Sequence, residues 1–220
     1  MHNTLAPKPK LRGMVFDIDG VIFDSRSANI GYYNSILAAM NICPMSADDE
    51  LYCHMATGQQ AIERIVPPEY RAWANEIRDN LKYSSYIMPK LTLEAGLLEA
   101  LTYLREMHIP CGICTNRFDG VDYMLRYFGL DRYFTVLKTA KTCRPKPDPQ
   151  GLLEIREEWS MGSGEVAFIG DTSADQIAAR EAGVLFMAYR SPELKADLHI
   201  SDFFSFIDTI QPLVESSYCS

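Results

Sequence analysis

Two carboxylates stand two positions apart at the end of an apolar run, in Phe16-Asp17-Ile18-Asp19-Gly20-Val21-Ile22-Phe23-Asp24-Ser25. Like charges this close repel and raise one another's pKa unless a cation or hydrogen-bond donors compensate. The pair therefore points either to a bound metal or to divided nucleophile and acid roles. A turn that uses aspartate as a local hydrogen-bond acceptor accounts for one such residue more readily than for two.

Three later segments supply what the pair lacks. Thr115-Asn116 follows another apolar run and precedes a helical pattern, offering a hydroxyl and backbone N–H groups to a phosphoryl oxygen. Helix capping is the plainer use of the same residues. Lys146 lies in Arg144-Pro145-Lys146-Pro147-Asp148-Pro149, where the prolines restrict the backbone ahead of a helix. An ammonium held there would offset the carboxylates and stabilise transferred negative charge. Gly170-Asp171-Thr172-Ser173-Ala174-Asp175 brings two more acids, of which capping explains only one. Hard oxygen ligands in this number suit magnesium, which binds through a few carboxylates plus substrate phosphate.

The elements that must position these groups follow from hydrophobic patterning. Residues 13–16, 110–114, 133–137, 166–169 and 184–189 are short, continuously apolar runs, as expected of parallel strands covered on both faces. Between them, apolar residues recur at three- and four-residue spacing: Leu97, Leu101 and Leu104; Val121, Met124, Leu125 and Phe128; Leu152, Ile155 and Trp159; Phe203, Ile207, Ile210 and Val214. Strands alternating with helices predict a doubly wound α/β sheet whose strand ends present the site. Residues 25–92 break the alternation and carry helical patterns alone. One helix is expected to start at Ser25 or Ser27 and turn Ile30, Tyr33, Leu37 and Met40 inward. Another, after Pro67-Pro68, is expected to bury Tyr70, Trp73, Ile77 and Leu81. The division expected is an α/β core of residues 1–24 and 93–220 with a helical cap of residues 25–92.

The chain resembles the haloacid dehalogenase superfamily, specifically its phosphoglycolate phosphatase-like members with a helical cap between the first and second motifs. Asp17-x-Asp19-Gly20-Val21-x-x-Asp24-Ser25, Thr115-Asn116, Lys146-Pro147 and Gly170-Asp171-x-x-x-Asp175 occur in that family's order. The resemblance implies a Rossmann-like core and hydrolysis of a small phosphorylated metabolite. It implies that Asp17 attacks phosphorus to form an aspartyl-phosphate, while Asp19 protonates the leaving oxygen and later activates water. Magnesium would be held by the Asp17 carboxylate, the Asp19 carbonyl and Asp171, with Asp175 supporting a metal-bound water. Thr115 and the Asn116 N–H would bind the phosphoryl group, and Lys146 would neutralise charge beside Asp17.

Within that superfamily, dehalogenases need no second acid because halide leaves without a proton, so Asp19 argues for phosphate esters. The sugar-phosphate mutases, of β-phosphoglucomutase type, share Asp-Gly-Val but usually carry a His about twelve residues after the nucleophile and an Arg in the cap loop; Asn29 and Ala61 stand there. A non-catalytic binding protein would be expected to have lost one of the groups. The cap loop Ala56-Thr57-Gly58-Gln59-Gln60 is the expected place for substrate contacts. Arg64 is a candidate for an anionic group and Arg117 for the substrate entrance.

Composition frames this reading. The 220 residues suffice for one core plus an insertion, and 47% apolar with 23% charged residues is ordinary for a folded protein. A net charge of −8, relieved only by Lys8, Lys10 and Arg12, makes nucleic acid an unexpected partner. No apolar stretch reaches the ~20 residues needed to cross a bilayer, and residues 1–13 lack an apolar signal region, so the cytoplasm is expected. The six cysteines, Cys43, Cys53, Cys111, Cys114, Cys143 and Cys219, are read as free thiols. Cys111 and Cys114 lie in a strand pattern, where a small buried side chain is the expected role rather than a redox pair.

Overall fold

The computed structural model describes residues 11–81, 83–118 and 120–215; Lys8, Lys10 and Cys219 lie outside them. The chain begins with β1 (Gly13–Phe16) and β2 (Phe23–Asp24), then passes through α1 (Arg26–Ala39), α2 (Ala47–Met55), α3 (Gly58–Ile65), α4 (Arg71–Leu81) and α5 (Tyr83–Ile87). It returns at β3 (Thr92–Leu93) and continues as α6 (Leu97–Glu106), β4 (Cys111–Thr115), α7 (Val121–Tyr127), β5 (Phe134–Thr139) and α8 (Gln150–Glu158). The last elements are β6 (Val166–Gly170), α9 (Ser173–Ala182), β7 (Leu185–Tyr189), β8 (Leu198–Ile200) and α10 (Phe203–Glu215).

Six strands form one parallel sheet in the order β5-β4-β1-β6-β7-β8. β1, β4 and β6 are buried along their whole lengths, which is why their sequences run apolar without alternation. β1 is the position at which the strand order turns, with β4 on one side and β6 on the other. In open α/β sheets the crevice beyond the carboxyl end of such a strand is the usual ligand position. The register makes Phe16 level with Ile113 of β4 and Ile169 of β6. Asp17, Thr115 and Asp171 therefore leave the sheet at one edge.

The helices α9 and α3, which border the site, begin for identifiable local reasons. Thr172 caps α9 through its side chain, and the Asp175 carboxylate accepts in turn from the Thr172 N–H; Gly183, at φ 66°, closes the other end. Thr57 and Gln60 form the same reciprocal box at the start of α3. Leu97, Leu101 and Leu104 on α6, and Phe203, Ile210 and Val214 on α10, are all buried and join one apolar cluster. Ile207, expected among them, is partly buried against it.

Several expectations shift. β8 was not foreseen, because three residues containing a polar His199 leave no apolar run to read. β2 and β3 form an antiparallel pair of two residues each, too short for any periodic signal. The predicted strand 133–137 begins and ends later, with Tyr133 in a single 3₁₀ turn. On α1, Tyr33, Leu37 and Met40 are buried as expected, but Ile30 is only half-buried and Tyr32 and Ile36 are fully enclosed instead. Tyr70 and Trp73 are exposed, at 48% and 45%. Tyr70 precedes α4, and the small Ala74 is the α4 residue that packs completely inward, turning the neighbouring rings to solvent.

Candidate active site

The first turn beyond β1 is built so that its carboxylates face the loops after β4 and β6. Gly20 has φ +75°, and a Cβ there would lie 2.1 Å from Asp171 Oδ2, so only glycine permits the two loops to approach. Asp17 is 6% exposed; the Ile18 N–H donates to its Oδ1 (2.7 Å), and the Lys146 ammonium lies 2.9 Å from its Oδ2. Lys146 Nζ also donates to Asp175 Oδ1 at 2.6 Å. The other oxygen of Asp175 accepts from the Thr172 N–H (2.9 Å), the Thr172 hydroxyl and the Asp171 N–H (3.2 Å). Asp175 is thus fully enclosed and serves at once as helix cap and counter-ion.

Asn116 holds Lys146 in place from the neighbouring strand end. Its Oδ1 accepts from the Lys146 N–H (2.7 Å), while its Nδ2 donates to the carbonyls of Lys146 (2.9 Å) and Met55 (3.0 Å). The same amide therefore fixes the lysine loop and ties it to the end of α2. Thr115 is 3% exposed and its hydroxyl oxygen accepts from the Arg117 N–H at 3.2 Å.

Asp19 has a different environment. Arg117 donates to both its oxygens, Nε to Oδ2 at 2.7 Å and Nη2 to Oδ1 at 2.6 Å. Asn29 donates to Oδ1 at 3.2 Å, and the Ser25 hydroxyl donates to the same oxygen. Ser25 does occupy the cap position of α1, but its side chain caps nothing and turns to Asp19 instead.

The two aspartates consequently titrate in opposite directions. Burial, followed by the charges of Asp175, Asp171 and Asp19, pushes Asp17 up to about 7 against the pull of Lys146. Burial also works to raise Asp19, but the Arg117 charge and the hydrogen bonds from Arg117 and Ser25 hold it down at about 2. Burial lowers the pKa of Lys146, and Asp17 and Asp175 more than reverse that, so it stays charged. Asp171 is raised, chiefly by burial.

Asp17, Asp171 and Asp175 offer oxygen atoms all within 4.8 Å of one another. Three carboxylates around one ammonium leave an excess of negative charge, and among the described residues the buried Asp171 Oδ1 has no hydrogen-bond partner. This all-oxygen set fits a hard divalent cation. Positive charge placed there would also lower the pKa of Asp17.

A cavity of about 810 Å³ opens above these groups, with Asp17, Asp19, Thr115, Asn116, Arg117 and Lys146 on one side. Of the expected cap-loop contacts, Gly58 and Gln59 line it as well. Gln60 and Arg64 do not. The Gln60 side chain accepts from the Thr57 N–H (2.9 Å) and hydroxyl (3.0 Å) as part of the helix cap. Arg64 is turned to the outer face, where it pairs with Asp49 at 2.9 Å and is 51% exposed.

Sequence reasoning did not select His54, whose Nε2 lies 3.0 Å from Asp171 Oδ2 and which also lines the cavity. Its position two residues before the Ala56–Gln60 loop was the available signal. Tyr33 was read only as packing, yet it too borders the cavity. At the described positions the cysteines are free, as expected: Cys43, Cys53, Cys111, Cys114 and Cys143; burial pushes Cys111 and Cys114 up to about 12.

The sequence profile of the haloacid dehalogenase-like hydrolases matches residues 14–189. A phosphoglycolate phosphatase of Agrobacterium fabrum is 26% identical over 210 aligned residues, covering 86% of this chain and 88% of that protein. A crystal structure of a HAD-superfamily hydrolase, subfamily IA, variant 1, from Geobacter sulfurreducens is 30% identical and superposes with a TM-score of 0.74, covering 94% of this chain and 100% of that one. The β-phosphoglucomutase of Clostridium difficile, at 18% identity and a TM-score of 0.80 over 96% of this chain and 100% of that one, shares the fold. On a profile match that spans most of its length and every one of the four motifs, this chain belongs to the haloacid dehalogenase-like hydrolase family.

Proposed function

We propose that the protein is a magnesium-dependent phosphatase that hydrolyses a small phosphate monoester through an aspartyl-phosphate on Asp17. The observation that carries this reading is the buried Asp17 carboxylate, 2.9 Å from Lys146 and beside Asp171 and Asp175, at the floor of a cavity large enough for a metabolite. Asp17 supplies the electron pair that forms the new P–O bond, and the bond from phosphorus to the ester oxygen breaks. Asp19 gives a proton to that departing oxygen. Water then attacks the aspartyl-phosphate, Asp19 takes its proton, and phosphate leaves with Asp17 regenerated. Lys146 remains charged throughout and stabilises the equatorial oxygens, with Thr115 and the Asn116 N–H as further donors. Asp17, Asp171 and the Asp19 carbonyl would hold magnesium, with Asp175 as support; bound there it supplies charge neutralisation for phosphate and keeps Asp17 ionised.

We assign substrate choice to residues 25–92 as a cap over a core of residues 1–24 and 93–220. The location of Gly58 and Gln59 on the cavity wall supports this. Among the described residues no helix is long and apolar enough to cross a membrane, and five unpaired cysteines suit a reducing cytoplasm. Phosphoglycolate-like esters are the first class to assay, given the relatives.

The experiment is hydrolysis of an aryl phosphate by the purified protein with magnesium, with chelator, and as Asp17→Asn. Turnover should require the metal and fall to background in the variant, because an amide is a poor nucleophile and a poorer ligand. Activity that survives either change removes the mechanism.

A further inference from the structure

The contact between Arg117 and Asp19 stands in the way of the role just given to Asp19. Four hydrogen bonds end on that carboxylate, two from Arg117 and one each from Asn29 and Ser25. Three of the four end on Oδ1 and the fourth, from the Arg117 Nε–H, on Oδ2, so both oxygens are engaged and each is bound by the guanidinium. The Arg117 pair is bidentate and charge-assisted, the strongest geometry available between two side chains. It is also well shielded, with the Arg117 side chain 8% exposed and that of Asp19 15%. Held in this way, Asp19 cannot turn to an ester oxygen or to an attacking water.

The backbone of Arg117 is fixed independently of this pair. Its N–H donates to the Thr115 hydroxyl oxygen at 3.2 Å, and its carbonyl accepts from the Ala140 N–H at 3.0 Å. The guanidinium stands on a long side chain that borders the cavity, beside Phe118, which is 59% exposed. A side chain anchored at its root and charged at its tip can exchange one anionic partner for another without moving the loop.

Resting on the phosphatase reading, we propose that Arg117 is a substrate-displaced clamp: it restrains Asp19 until a second anionic group on the substrate draws the guanidinium away. Arg117 is then a positioning residue for the acid and a specificity residue for the ester. The exchange is close to balanced electrostatically, because the arginine loses one carboxylate and gains another anion. A neutral ester body offers nothing in return and leaves the clamp closed. Such coupling makes the presence of the right substrate a condition for assembling the acid, as in induced fit.

The test uses two esters that differ only at one end: 3-phosphoglycerate, with a carboxylate, and glycerol 3-phosphate, with a neutral alcohol. The wild-type protein should prefer 3-phosphoglycerate by about tenfold or more in kcat/KM. Arg117→Ala should lower kcat/KM for 3-phosphoglycerate by about tenfold while raising kcat for glycerol 3-phosphate about threefold or more. Arg117→Lys, which keeps the charge but not the fork, should recover part of the preference. An equal loss on both esters in Arg117→Ala overturns the clamp, since it marks ordinary support of catalysis or folding.

A second measurement does not depend on turnover. In ¹⁵N-labelled Asp17→Asn protein, the Arg117 Nε–H resonance, identified by its loss on adding Arg117→Lys, should be protected from exchange. Adding 3-phosphoglycerate should shift it and adding glycerol 3-phosphate should not. A resonance that ignores both esters, or responds alike to both, overturns the proposal. Absence of hydrolysis of any ester by the wild type, with the selective shift intact, overturns the phosphatase reading and leaves the clamp standing.

Discussion

The loops at the strand ends and the helices between β2 and β3 face one cavity, but their side chains are held by different means. On the strand-end side, Asp17, Lys146 and Asp175 are buried and joined across 129 and 29 positions of sequence by ion pairs. On the helical side, His54 reaches over to Asp171, but the bonds at the start of α3 are local: Gln59 donates to Glu63 four residues on, and Gln60 closes onto Thr57. Charges brought together from distant positions constrain one another, so few replacements preserve the arrangement. Locally satisfied polar residues can change without disturbing anything beyond their own turn. On the function proposed above, chemistry is fixed in one region and selection is adjustable in the other.

Substitutions can break this contrast, starting where the effect is greatest. Asp19→Asn should lower turnover by ~10²–10⁴-fold on an ester with a basic alkoxide leaving group. An aryl ester, whose leaving group hardly needs a proton, should lose least. Equal losses measured under single-turnover conditions would argue against leaving-group protonation.

Asp175→Ala should destabilise the protein by about 3–5 kcal/mol, because it leaves a buried ammonium with one partner fewer and removes the reciprocal half of the α9 capping box. Denaturant titration reads this directly. A change below about 1 kcal/mol would show that the buried network does not constrain the strand ends as argued.

The pH dependence sharpens the comparison between neighbouring aspartates. Asp17 is raised in the folded protein from 3.8 to about 7, so the folded state holds a proton that the unfolded chain has released. In metal-free protein this contribution to stability is present below pH 4 and is lost as pH rises to 7. Magnesium at pH 7 should restore it, and Asp17→Asn should remove both the slope and the response to metal. Asp19 runs the other way, since its lowered pKa contributes stability above about pH 4 that is lost toward pH 2. The measurement is the difference in Tm between wild type and each variant across this range.

The smallest effects belong to the helical side. Gln59→Ala should lower kcat/KM for the best metabolite about threefold to tenfold and leave an aryl phosphate within about threefold. Arg64→Ala should change neither substrate, because its exposed pair with Asp49 is on the outer face. A selective effect of Arg64 in steady-state assays would put the substrate where the structure shows solvent.

Strand ends were legible for a physical reason. A carboxylate beside a continuous apolar run is costly unless it is compensated, so Asp17, Asp19 and Asp171 stood out in one dimension, and Lys146 did so through the prolines that flank it. The helical region offered no such contrast. Tyr70 and Trp73 satisfied the spacing of a buried stripe, but spacing does not reveal that Ala74 would take the inner position and leave both rings exposed. His54 reaches Asp171 across 117 positions, a distance no local pattern encodes. The Arg117 pair with Asp19 is similarly invisible, since the motif order reveals which groups meet but not which partner occupies them first.

The short pairing of β2 with β3 has a consequence for how such a protein can diversify. Phe23 lies opposite Leu93 and Asp24 opposite Thr92, so the chain departs and re-enters at adjacent points. The sheet need span no gap whatever the intervening length, and loop closure costs only a slowly growing amount as residues are added. The intervening segment can therefore change in length while the strands keep their register, provided that the contacts it makes to Asp19 and Asp171 are kept.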